Sequence, residues 1–269
     1  MIKQKKSIKK GNRSEIGTYQ WSKESQGNLS RKEKFGIVGM LIKSQMVNLV
    51  QSLRYKLGLS KDSLKNIDFE AIVRPDSKIA REAEEMCREL YTPVFANHCW
   101  RTYYWGVLLG QADGLRIDAE LLFVGSLLHD LGLSDKYSPQ ADHSCFALNG
   151  ANIAYKLALE QGWDDGRAQI LYNSIGLHIN PLIEVAEHGP EAKLIGNGAY
   201  LDIIGIRHYC LTPEVIKQVH QLFPRGNFVA DILRVMKSID HPRDTRSGFM
   251  SKIGIDFLAN RNPLDKTAA

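Results

Sequence analysis

A chain of 269 residues, 43% hydrophobic and 24% charged, has the composition of an ordinary soluble globular protein, with one moderately large domain or one domain plus an extension. The net charge of +5 is lopsided. Lys3, Lys5, Lys6, Lys9, Lys10 and Arg13 fall in the first 13 residues without one acid, which leaves the rest near neutral and argues against a broad nucleic-acid-binding face.

Residues 1–29 are polar and aperiodic and read as a disordered basic tail, able to touch phosphate or acidic lipid only weakly. Its basic start runs into Gly11-Asn12-Arg13-Ser14-Glu15 and not into an apolar secretory core. Residues 30–67 form an N-terminal helix and linker. Ser30 and Glu33 make a capping box ahead of Phe35, Ile37, Val38, Leu41, Ile42, Met46, Leu49, Val50 and Leu53, a helix of about six turns. This helix either extends the core or mediates a homo-oligomer. Lys43, Gln45 and Asn48 interrupt it, so no membrane span is expected.

A helical domain over 68–245 follows, then a C-terminal extension over 246–269. Helices are expected at Ser77–Tyr91, Pro93–Ala112, Asp118–Leu131, Phe146–Gln161, Asp164–His178, Glu191–Ile204, Pro213–Leu222 and Phe228–Ser238. Asp118, Asp164 and Thr212-Pro213 are start signals, and Gly132, Gly162 and Gly205 stop signals. No β-alternation persists, so the fold class is all-α. Cys87, Cys99, Cys145 and Cys210 lack C-x-x-C spacing and read as reduced core thiols of a cytoplasmic protein.

Chemistry concentrates at His129-Asp130, where the apolar stretch Leu121–Leu128 stops. Burying these two side chains without partners costs roughly 1–3 kcal/mol for the imidazole and more for the charge. A divalent cation removes that cost, and the nitrogen–oxygen pairing suits Zn, Fe, Mn or Ni better than Ca or Mg. His98, in the polar and aromatic run Asn97–Tyr104, and Asp202, a carboxylate amid apolar residues, are candidate further ligands. Asp202 needs a cation or a raised pKa to remain there. Of Trp100, Tyr103, Tyr104 and Trp105, at least two must belong to the core, because four aromatics within six residues cannot share one helix face. His188, His208, His220 and His241 read as surface or structural residues.

Together these residues resemble the HD superfamily of metal-dependent hydrolases, in which a His, a His-Asp pair and a distant Asp sit on a helical bundle. Asn97-His98-Cys99-Trp100-Arg101-Thr102-Tyr103, Leu127–Gly132, Asn149-Gly150-Ala151, Ile175-Gly176-Leu177-His178 and Gly189–Asp202 resemble its cyanamide hydratase-like branch. The resemblance spans roughly residues 75 to 240. It implies an HD-type bundle preceded by the extra helix and tail. One divalent transition metal, Zn before Fe, would be held by His98, His129, Asp130 and Asp202, with Asp130 also counted as catalytic.

By the same resemblance His178 is a pocket residue, either an added ligand or a proton-transfer group. Arg101, Asn97, Tyr104 and His143 are candidates to bind substrate, and Arg101 also to act in catalysis. The stretch around His143 departs from the branch pattern; a second metal at His143 and His178 is the variant seen in binuclear relatives. The implied reaction is addition of an activated water to a small polar molecule such as a nitrile or cyanamide. Alternatives are an HD-type phosphohydrolase of a nucleotide or phosphate ester, a di-iron oxygenase, and a non-enzymatic binding module stabilised by metal.

Overall fold

The computed structural model describes residues 13–59, 64, 66–138, 145–239 and 241–266. Its first helix, α1 (Tyr19–Ser25), lies in the stretch whose composition suggested disorder. Residues 13–29 are instead ordered against the body, which corrects that expectation. Trp21 is fully buried, Ile16 and Leu29 are buried, and Asn173 accepts a hydrogen bond from Tyr19 N at 2.8 Å. A few well-placed apolar anchors outweigh a polar average. Lys3, Lys5, Lys6, Lys9 and Lys10 lie outside the described residues.

Helix starts follow local chemistry. At the head of α2 (Arg31–Lys56), Ser30 Oγ accepts from Glu33 N while the Glu33 carboxylate accepts from Ser30 N, completing the capping box. Ser77 and Thr92 cap α3 (Lys78–Leu90) and α4 (Pro93–Asp113), the latter with Pro93 in its first turn. Asp118 caps α5 (Ala119–Leu128), after which a 3-10 turn covers Leu131–Leu133. Then come α6 (Phe146–Glu160), α7 (Asp165–Leu177), capped by Asp164, and α8 (Val185–Ile204), kinked at Gly189-Pro190. Thr212 caps α9 (Pro213–Leu222), and α10 (Phe228–Ser238) follows. Two short helices, α11 (Arg246–Met250) and α12 (Ile255–Ala259), fold the expected C-terminal extension back onto the body. The fold is all-α: among the described residues there is no strand, only an antiparallel bridge between Asn28 and Thr245.

The core centres on α4 and α8, which cross closely where a side chain at Gly198 would place its Cβ 2.5 Å from Thr102 O. Helix α5 is buried from Leu121 to Leu128, so it is apolar all round and has no amphipathic stripe. Pairing of α6 with α7, and packing of α5 against α7 and α8, brings the ends of α5 and α7 towards the N-terminal turns of α4. The four cysteines are free and buried. Helix α2 meets the body through Ile37, Asn48 and Tyr55, and no helix is long and apolar enough to cross a membrane among the described residues.

Candidate metal centre

Two helices end in the same way, and both endings place a histidine. His129 follows Leu128 of α5 in αR conformation, and its Nδ1 donates to Ser126 O at 2.8 Å. His178 follows Leu177 of α7, also in αR, and its Nδ1 donates to Ile175 O at 2.6 Å. Each ring bonds back to the carbonyl three residues earlier, which fixes its tautomer and turns Nε2 inward. His98, in the second turn of α4, donates from Nδ1 to Asp202 Oδ2 at 2.7 Å.

The three inward nitrogens meet Asp130. His98 Nε2 and His129 Nε2 are 3.2 Å apart, and they lie 3.5 and 3.3 Å from Asp130 Oδ2. His178 Nε2 is 3.4 Å from Asp130 Oδ1. All four residues are buried. With every Nδ1–H already donated to an oxygen, neutral imidazoles present only lone pairs to one another and to a carboxylate that can only accept. Such a cluster is stable only around positive charge, as protons or as a cation. His98, His129 and Asp130 each offer a ligand atom within 4.8 Å of the other two.

The titration directions agree. Burial acts to raise the Asp130 carboxyl, yet the imidazoles around it, His129 foremost, hold it well below the usual carboxylate range. For His98, burial is overcome by Asp130 and Asp202 and the pKa rises. His178 is pushed down, chiefly by burial, which favours its neutral form.

Asp202, expected among the ligands, stands behind His98. Its Oδ2 accepts from His98 and from Arg101 Nη2 at 2.8 Å; its Oδ1 accepts from Arg101 Nε at 2.8 Å, Arg225 Nη1 at 2.9 Å and Trp105 Nε1 at 3.0 Å. Burial would raise this carboxyl, but the Arg101 and Arg225 guanidiniums hold it well below the usual range. Residues 98, 101 and 105 share one face of α4, and that spacing aims all three donors at Asp202.

Arg101 is therefore spent internally. Its Nη1 donates to Phe223 O and Pro224 O, so every guanidinium nitrogen is engaged and none is offered to substrate, contrary to the expected role. Asn97 Nδ2 donates to Pro224 O, and Tyr104 packs between Phe69 and Phe223; neither lines the cavity at the cluster. His143 lies outside the described residues. Tyr103 and Trp105 are core residues, while Trp100 stacks on Phe223. Arg225 and Asn262, which donates to Asp202 O at 2.8 Å, were not singled out from the sequence. The one sequence signal for Arg225 was the requirement that buried Asp202 find a cation; Asn262 had none.

A cavity of about 60 Å³ opens beside the cluster, lined by His129, Asp130 and His178. Its other walls are apolar, built from Phe146 on α6, Ile203 on α8, Ile232 and Met236 on α10 and Met250 on α11; Ser247 and Ser251 add hydroxyls. No lysine or arginine lines it among the described residues.

Residues 95–197 match the family model of the HD domain. This stretch, less than half of the chain, is thus similar to the HD domain, a family that generally comprises metal-dependent hydrolases. His98, His129, Asp130 and His178 fall inside the matched stretch, and Asp202 falls just beyond it. No curated protein matches the chain.

Proposed function

We propose that the chain is a metal-dependent hydratase of small, uncharged, unsaturated molecules of the nitrile or cyanamide type. One observation carries the reading: the inward lone pairs of His98, His129, His178 and Asp130 converge beside a small apolar cavity that has no cationic wall among the described residues. His98, His129 and Asp130 would hold the ion. A divalent transition metal bound there supplies Lewis acidity and lowers the pKa of water from about 15.7 towards 7. Asp202 is a positioning residue that locks the His98 tautomer through Nδ1, while Arg101 and Arg225 hold Asp202 ionised.

His178 is the candidate proton carrier. Its Nδ1–H is committed to Ile175 O and its neutral form is favoured, so Nε2 can accept the proton that water loses as its oxygen adds to the substrate carbon. The same atom returns the proton to the substrate nitrogen. Phe146, Ile232 and Met236 would exclude bulk water. A phosphate ester would bring at least one negative charge into a cavity whose described lining offers no lysine or arginine, which favours the hydratase over the phosphohydrolase reading.

The test supplies the purified chain with Zn²⁺ or Fe²⁺ and follows urea from cyanamide, amides from small nitriles, and inorganic phosphate from nucleotides. Urea or amide formation, abolished in His129→Ala, is expected. Phosphate release with no hydration would overturn the proposal.

A further inference from the structure

The exposed side of α2 is built in the opposite sense to that of an ordinary surface helix. Phe35, Ile42, Met46, Leu49, Leu53 and Leu57 are each between 49% and 79% exposed. Phe35, Met46 and Leu57 are spaced by 11 residues, as are Ile42 and Leu53 and, on one flank, the exposed Lys32, Lys43 and Arg54. An interval of 11 residues is three turns, so these rows run straight along the helix, the apolar one for about 33 Å. Lys34 and Lys56 lie on the other flank.

The inner side is fixed. Ile37 is fully buried, Asn48 Oδ1 accepts from Arg207 N at 3.1 Å, and the Tyr55 and Tyr209 rings pack at 5.2 Å. Near the N-terminus of α2, Glu33 accepts from Trp21 Nε1 at 2.7 Å. The outward apolar face is thus held in place by contacts along the helix.

We infer that this face of α2 docks on the surface of a bilayer containing anionic phospholipid, with the apolar row entering the acyl boundary and the basic flanks meeting headgroups. Charge selects this occupant. Helix α2 carries six basic residues against Glu33 alone, and residues 1–59 carry thirteen against three acids, while residues 60–269 are net −5. A second copy of the helix would bring the same basic flanks against these, a like-charge contact, whereas an anionic lipid surface is complementary to both flanks. Lys34 and Lys43 pair with Asp244 and Glu184 on the body, exposed contacts that lipid phosphates can replace.

The test uses the full chain with vesicles of phosphatidylcholine, with and without phosphatidylserine, read by flotation. Binding at least about tenfold stronger to the anionic vesicles, weakening with salt, is expected. Phe35→Glu, Ile42→Glu and Leu49→Glu combined should abolish it with the circular dichroism unchanged, because all three side chains are exposed. Lys43→Glu with Arg54→Glu should remove the anionic preference alone. Absent or lipid-independent binding would overturn the inference. So would a chain that sediments as a dimer and becomes a monomer in the triple variant, which would make a second copy the occupant.

Discussion

Replacing Asp202 by asparagine separates holding an ion from holding His98. The substitution preserves shape but removes the charge facing Arg101 and Arg225, both fully or nearly fully buried. Breaking a buried ion pair from one side costs about 3–5 kcal/mol, because the surviving charge stays desolvated. At about 2–4 °C per kcal/mol for a chain of this size, the melting temperature should fall by roughly 6–20 °C. Asparagine can still accept from His98 Nδ1, so metal affinity should drop about 10–100-fold, as for outer-shell partners, while saturating metal still fills the site. Calorimetric unfolding and a Zn²⁺ titration, each beside His129→Ala, measure the two effects. If Asp202→Asn retains no metal at saturation, Asp202 is itself a ligand and its place behind His98 has been misread. An unchanged melting temperature would refute the energetic argument.

Gly198→Ala drives a Cβ against the backbone oxygen of Thr102, which cannot rotate away; a loss of about 1–3 kcal/mol is expected in urea unfolding, and an unchanged midpoint would place the α4–α8 crossing wrongly. Trp21→Ala removes a fully buried indole and should cost about 3–5 kcal/mol, whereas no loss would return residues 13–29 to a tail. Glu15 and His188 join the N-terminal segment to α8 at 2.7 Å. The His188 pKa is raised above 6.5 by Glu15, so its contribution is complete below 6.5 and fades as pH climbs through the folded value. The Glu15 pKa, despite burial, is lowered below 4.5 by His188, so its contribution is complete above 4.5 and fades as pH falls through the folded value. The stability difference between wild type and His188→Gln should therefore peak at about pH 5–6, and a pH-independent difference would contradict the pairing.

What could be read in advance was what is local. Caps at Ser30, Asp118, Asp164 and Thr212 bind amides three residues on, so a few letters contain the whole interaction. His129-Asp130 was legible because an apolar helix ending in two polar side chains leaves few satisfactory arrangements. Burial of Trp21 was not, since the segment that carries it is tied to the body by contacts such as Tyr19 with Asn173, more than a hundred residues away, and average composition does not register one anchor. The walls of the cavity were equally hidden: Ile232 and Met236 look like any amphipathic stripe, and the α11 residues Ser247 and Met250 come from a segment that read as an appendage.

Asp202 shows where pattern reasoning reaches its limit. A carboxylate among Leu201, Ile203 and Ile204 does demand positive charge, and that demand was correctly felt. Sequence spacing cannot distinguish a metal ion from a guanidinium as its source, because Arg225 arrives from the chain after α9 and Arg101 from three residues past His98. The distinction has chemical weight. With Asp202 neutralised from behind, Asp130 is the one carboxylate among the described inward-facing groups, and three neutral imidazoles would leave a bound divalent ion with a net charge near +1. Such a centre keeps more Lewis acidity than one with two carboxylates, and a small apolar cavity beside it suits an uncharged substrate whose developing negative charge the ion can stabilise. The Arg101–Asp202–Arg225 cluster would then tune the reaction indirectly, by setting how much negative charge reaches the site.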